Sequence, residues 1–200
     1  MSKDLSKYDF IIAIDKSGSM QGPGAHNQTR WKEAQETTLA IATKAAEFDD
    51  DGITVIPFAN TLKIYDNVTP DKVTQIFTEN EPNGGTDTAA LLKTIFDRYT
   101  SAKPTKPVIL VVVTDGEPND KNAVKAEIKK FAETLTDNGA GDTDEFGILF
   151  LQIGNDPVAT SFLKELDDNL GAKFDIVNTK TADELESITL TEAFLAALED

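Results

Sequence analysis

Phe10-Ile11-Ile12-Ala13-Ile14-Asp15-Lys16-Ser17-Gly18-Ser19-Met20 is the stretch whose reading decides the fold. An apolar run meets a carboxylate abruptly, and two hydroxyls follow around a glycine. Such a run is what a parallel strand needs when helices cover both its faces, and open parallel sheets bind ligands beyond the carboxyl ends of their strands. The stretch therefore predicts a buried strand over 8–15 that delivers Asp15, Ser17 and Ser19 to its own tip.

Runs of the same kind recur at Ile53 to Ala59, Val108 to Asp115, Phe146 to Ile153 and, briefly, Phe174 to Val177. Helical patterns separate them. Trp31, Ala34, Thr38, Ile41, Ala42 and Ala45 recur at three- and four-residue steps, the core stripe of an amphipathic helix over 29–48. Shorter stripes follow Pro70 (Val73, Ile76, Phe77) and Thr88 (Ala89, Leu92, Ile95, Phe96), run over 121–135 (Val124, Ile128, Phe131), and follow Asp156-Pro157 (Phe162, Leu163, Leu166). One or two further helices are expected over 182–198. This alternation predicts an α/β protein built of βαβ units around a mainly parallel sheet. Val108 to Val113 is the most apolar run and is expected at the centre. Leu62-Lys63-Ile64-Tyr65 follows the second strand too closely for a helical crossover, so it is expected to be a short antiparallel edge strand.

The 200 residues suit a single domain, 1–200, at roughly 100–200 residues per domain. There is no cysteine and one histidine, His26, which excludes disulfides, cysteine-held zinc, iron–sulfur clusters and thiol nucleophiles. A metal here must be held by oxygen, which favours Mg²⁺, Mn²⁺ or Ca²⁺. Thirty-five acidic against nineteen basic residues give a net charge of −16, which repels nucleic acid and anionic membranes. Residues 1–7 lack a signal peptide's apolar core and no apolar run approaches the ~20 residues of a membrane span, so a cytoplasmic protein is expected unless the chain was excised from a longer secreted parent; a monomer on its own is also expected. His26 is expected at the surface, and the acidic runs 49–51 and 142–145 on solvated faces.

Three polar clusters fall at predicted strand tips or beside them: Asp15 with Ser17 and Ser19, Thr86 within Asn83-Gly84-Gly85-Thr86-Asp87-Thr88, and Asp115 within Thr114-Asp115-Gly116. Right-handed crossovers place the ends of all parallel strands on one edge, so residues about a hundred apart can converge there. Two carboxylates and three hydroxyls make a hard-cation site. Neutral hydroxyls hold an ion without cancelling its charge, so it still attracts one more negative oxygen. Taken singly, Asp15, Ser17, Ser19 and Thr86 also suit turns and helix caps. An unpaired carboxylate at the tip of so apolar a strand as that of Asp115 would be costly.

Together these pieces resemble the metal-ion-dependent adhesion site of von Willebrand factor type A domains, and their order and spacing extend the resemblance over nearly the whole chain. The resemblance implies a doubly wound, Rossmann-like sheet with helices on both faces and a Mg²⁺ or Mn²⁺ ion at its upper edge. It implies Ser17 and Ser19 as direct ligands, Thr86 as a direct ligand in the ligand-ready state, and Asp15 and Asp115 acting largely through water. A partner's Asp or Glu carboxylate would complete the octahedron, and the C-terminal helix, Leu190 to Leu198, would shift on binding. Two features stand beside this pattern: a long, flexible loop over 20–28, and Glu117, placed to compete for the partner's position.

The leading expectation is a non-enzymatic, metal-dependent protein-binding module. The alternative is a Mg²⁺-dependent hydrolase or phosphatase in which Asp15 attacks phosphorus, although such enzymes usually carry a second carboxylate where Ser17 stands. A serine hydrolase lacks its histidine in the required order, since His26 lies seven residues after Ser19. Neither Gly-x-Gly-x-x-Gly nor a Walker lysine motif follows a strand, which argues against nucleotide binding.

Overall fold

One six-stranded sheet carries the molecule: β1 (Asp9–Asp15), β2 (Ile53–Phe58), β3 (Tyr65–Val68), β4 (Val108–Thr114), β5 (Phe146–Gln152) and β6 (Val177–Thr181), in the order β3-β2-β1-β4-β5-β6. The computed structural model describes residues 3–24, 27–49, 52–102, 106–139 and 143–198. All strand pairs are parallel except β2 with β3, which is antiparallel. The chain winds outward from β1 through β2 to β3, then crosses back to β4 on the other side of β1. That reversal makes the β1–β4 gap the topological switch point, where doubly wound sheets form a crevice. The register sets Ile14 against Val113, so Asp15 and Thr114 leave the sheet side by side.

Among the described residues seven α-helices surround the sheet: α1 (Arg30–Ala45), α2 (Pro70–Glu79), α3 (Thr88–Ala102), α4 (Lys121–Ala132), α5 (Pro157–Asp168), α6 (Ala182–Leu185) and α7 (Leu190–Ala196). Alternation along the strands divides the core in two. Phe10, Ile12 and Ile14 of β1 pack with Ala34 and Ile41 of α1, Phe77 of α2 and Phe194 of α7. Ala13 and the β4 residues Leu110 and Val112 pack with Phe96 of α3, Phe131 of α4 and Phe162 of α5. Local chemistry starts the helices where the chain needs them. The Thr29 hydroxyl accepts the Lys32 amide at 3.2 Å to cap α1, and Asp120 accepts the amides of Asn122 and Ala123, each at 2.9 Å, to cap α4.

The sheet, its one antiparallel edge strand and the helices on both faces agree with the sequence expectation. Two edge strands are displaced from their expected places. Leu62 forms a bridge to Phe58 in the turn after β2, and the more polar Tyr65–Val68 pairs with β2 in its stead. Phe174 and Ile176 are core residues preceding β6, whose own residues beyond Val177 are only half-buried. Trp31 is half-buried rather than in the core, stacked at a tilt on Phe77 with ring centroids 4.4 Å apart. Asp49, expected on a solvated face, is buried at 3% exposure: its carboxylate accepts the Phe10 amide at 3.3 Å and lies 3.6 Å from the Lys106 ammonium. His26 lies outside the described residues, as do Asp50, Asp51 and Asp142.

Candidate metal centre

Asp15 lies at the floor of the crevice with no exposed surface. One carboxylate oxygen, Oδ1, accepts the Ser17 amide at 2.8 Å, and the other, Oδ2, accepts the Thr114 hydroxyl at 2.7 Å. Above it, Ser17 Oγ is 3.0 Å from Ser19 Oγ, and Ser19 Oγ donates to Asp115 Oδ1 at 2.9 Å. Asp115, only 1% exposed, completes its pairing through Oδ2, which accepts from Arg30 Nη1 at 2.7 Å. Ser17 is buried and Ser19 exposed, so the group opens to solvent through Ser19.

Thr86 joins this group through the main chain. The Gly18 amide donates to Gly84 O at 3.0 Å and the Asn83 amide to Lys16 O at 2.7 Å, tying the loop of 83–86 to the tip of β1. The Thr86 amide donates to Asn119 Oδ1 at 2.9 Å, and the Asn119 amide donates back to Thr86 O at 2.8 Å, tying the same loop to the segment after β4. This route is tight enough to require both glycines. Gly84 adopts φ +81°, and a Cβ on Gly85 would fall 2.8 Å from Asn119 Oδ1 and 2.9 Å from Asn60 Oδ1. Four of the five expected residues thus share one chain of hydrogen bonds, and the fifth sits on a loop stapled to both strand tips.

Burial pushes the Asp15 carboxyl up to about 6; the Ser17 amide and the Thr114 and Ser17 hydroxyls oppose the rise, and the neighbouring Asp115 charge adds a small push upward. A cation in the crevice would relieve both effects. The donors suit a hard ion. Among the described residues no three acidic or histidine side chains gather, so the set depends on its hydroxyls. The spacings of 3.0 and 2.9 Å between its oxygens are close to the roughly 3 Å separating neighbouring vertices of an octahedron of 2.0–2.1 Å radius.

Of the two flanking features, Glu117 is turned toward α4, where it pairs with Lys121 at 2.6 Å. The loop expected to be flexible is anchored in its described part. Met20 is fully buried, Gln21 Nε2 donates to Pro82 O at 2.7 Å, and the Gly24 amide donates to Gln28 O at 2.8 Å. Sequence reasoning quoted Thr114 only as part of the motif around Asp115, without its bond to Asp15, and passed over Asn119 and Arg30. For Arg30 a signal was present: it is a cation in the first turn of a helix, the end where the helix dipole disfavours positive charge.

A sequence profile of the von Willebrand factor type A domain matches residues 10–117, more than half of the chain, and the chain belongs to that family. No curated protein sequence matches it. Among solved structures, the manganese-loaded TRAP protein of Plasmodium vivax superposes with a TM-score of 0.63 at 15% identity, over 97% of this chain and 75% of that one. The PilB minor pilin of Streptococcus sanguinis does so at 0.62 and 15% identity, over 94% of this chain and 60% of that chain. A von Willebrand factor type A protein of Catenulispora acidiphila gives 0.61 and 19%, over 94% and 41%. The chain therefore spans less than two thirds of each of the last two proteins. At these identities the likeness is one of fold. Among the described residues, no helix is long and apolar enough to cross a membrane.

Proposed function

We propose that this domain is a non-enzymatic, metal-dependent protein-binding module, with Asp15, Ser17, Ser19, Thr86 and Asp115 holding Mg²⁺ or Mn²⁺. The observation that carries this reading is the unbroken Ser17–Ser19–Asp115 series of hydroxyl and carboxylate contacts above the buried Asp15. When bound, the ion supplies a Lewis-acidic vertex for an incoming carboxylate oxygen. Ser19 forms the open rim, Asp15 fixes the Ser17 amide from below, and the stapled 83–86 loop presents Thr86. The manganese in the TRAP structure, which shares this fold, supports the reading. The partner is a protein with an exposed Asp or Glu in a basic surround, because a chain of net charge −16 repels other acidic surfaces. Pilin neighbours fit an extracellular setting as readily as the cytoplasmic one expected from sequence, and the chemistry of the site is the same in either.

The phosphatase alternative asks Asp15 to attack, yet this carboxylate has no exposed surface and spends both oxygens on Ser17 and Thr114. Thermal denaturation with Mn²⁺, Mg²⁺ or excess EDTA tests the proposal. The ions should raise the melting temperature of the wild type and leave Ser17→Ala unchanged, since a ligand of the folded state stabilises by mass action. Mg²⁺-dependent hydrolysis of a phosphomonoester, lost in Asp15→Asn, would overturn it.

A further inference from the structure

Arg30 stands at the metal centre without belonging to the set of oxygens. It opens α1, where the dipole disfavours a cation, and its side chain passes between two glycine positions. A Cβ on Gly154 would lie 3.2 Å from Arg30 Nε, and one on Gly22 3.9 Å from Nη1. Nε is buried and, among the described residues, has no hydrogen-bond partner, so the side chain forfeits a donor in order to reach Asp115. What it gains is the 2.7 Å pair with a carboxylate that has no exposed side-chain surface. Two unfavourable circumstances, a helix start and an orphaned donor, are accepted for one charge contact.

We propose that Arg30 is a resident cation that competes with the divalent ion for Asp115, keeping the metal-free domain intact and setting the metal concentration at which the centre fills. This rests on the reading of the centre given above. A guanidinium and a dication sharing one carboxylate oppose each other in a site partly shielded from water, where charges act more strongly than in bulk solvent. Removing the arginine charge therefore strengthens metal binding and weakens the metal-free fold. Removing a true ligand such as Ser17 abolishes binding.

Calorimetric titration of MnCl₂ into wild type, Arg30→Gln and Arg30→Lys, with melting temperatures in EDTA, tests this. Arg30→Gln should bind Mn²⁺ at least tenfold more tightly, melt lower in EDTA and gain more from Mn²⁺. Arg30→Lys, which keeps the charge, should stay within about threefold of wild type. Binding by Arg30→Gln alone would also support the proposal. Equal or weaker binding by Arg30→Gln, with wild type binding, overturns the role of Arg30 and leaves the metal centre standing. Binding by neither overturns both. Should Arg30→Gln not fold, the wild type decides by NMR. Arg30 and Arg98 are the chain's two arginines, so their side-chain Nε resonances are separable. Saturating Mg²⁺ should shift Arg30 and leave Arg98, which pairs with Asp66 at 2.8 Å, in place; an unmoved Arg30 signal under confirmed binding overturns the proposal.

Discussion

Asp115 and Asp49 are carboxylates buried at opposite ends of the same sheet, each beside a basic side chain, and their surroundings differ in one respect. Asp49 accepts the Phe10 main-chain amide and faces the Lys106 ammonium, so it welds the exit of α1 to the start of β1. Asp115 accepts a hydroxyl, that of Ser19, with Ser17 behind it. An amide has one fixed donor, whereas a hydroxyl can rotate its proton away and offer a lone pair to a cation. Burying a carboxylate costs stability unless it is paired. At both of these aspartates the cost is met by pairing, and at the hydroxyl-lined end the pairing atoms can be re-aimed.

The sharpest test of the contrast is Asp115→Ala. In EDTA it should lose about 1–3 kcal/mol, the cost of stranding a partner of a buried pair. At Mn²⁺ a hundredfold above Kd it should also forgo the roughly 2.7 kcal/mol that binding adds, as urea unfolding with and without metal would show. Asp49→Ala should be destabilised by about 1–3 kcal/mol, having stranded the Phe10 amide, since Lys106 keeps its 3.2 Å pair with Asp9, while its Mn²⁺ increment stays at the wild-type value. A lost increment in Asp49→Ala would erase the distinction.

Acidity sharpens the comparison further. Asp15 is raised from 3.8 to about 6, so the folded state holds this proton more tightly than the unfolded chain does. Its contribution is fully present below pH 3.8 and is lost as pH rises through 6. In EDTA, the melting temperature of wild type relative to Asp15→Asn should therefore fall by a few degrees between these limits, and a flat difference would refute it. The smallest effect is expected from Glu117→Gln. This residue shares an exposed i,i+4 pair with Lys121, so both stability and Mn²⁺ affinity should remain within about 0.5 kcal/mol of wild type.

The interior of the fold was legible because β1, β4 and β5 are buried on both faces and read as continuous apolar runs. β3 and β6 were misplaced by a few residues because an edge strand has fewer packing neighbours to mark its sequence. The expected Asp15, Ser17, Ser19 and Asp115 do share one edge, since strand tips follow from topology. What stayed hidden were roles defined by a distant partner. Arg30 acquires its meaning from a carboxylate 85 positions away, and Asp49 from a strand amide 39 positions back. A run of acids looks solvated until one of them is found accepting an amide.

The bonds from Gly18 to Gly84 and from Asn83 to Lys16 run between main-chain atoms, so the tie between the β1 tip and the 83–86 loop does not depend on the Ser17 and Ser19 side chains. The crevice can therefore be refitted. Exchanging serine for aspartate at position 17 or 19 would keep the loops where they are while adding negative charge, turning a centre that solicits an outside acid into one sated by its own, with selectivity moved toward larger, more highly coordinated ions.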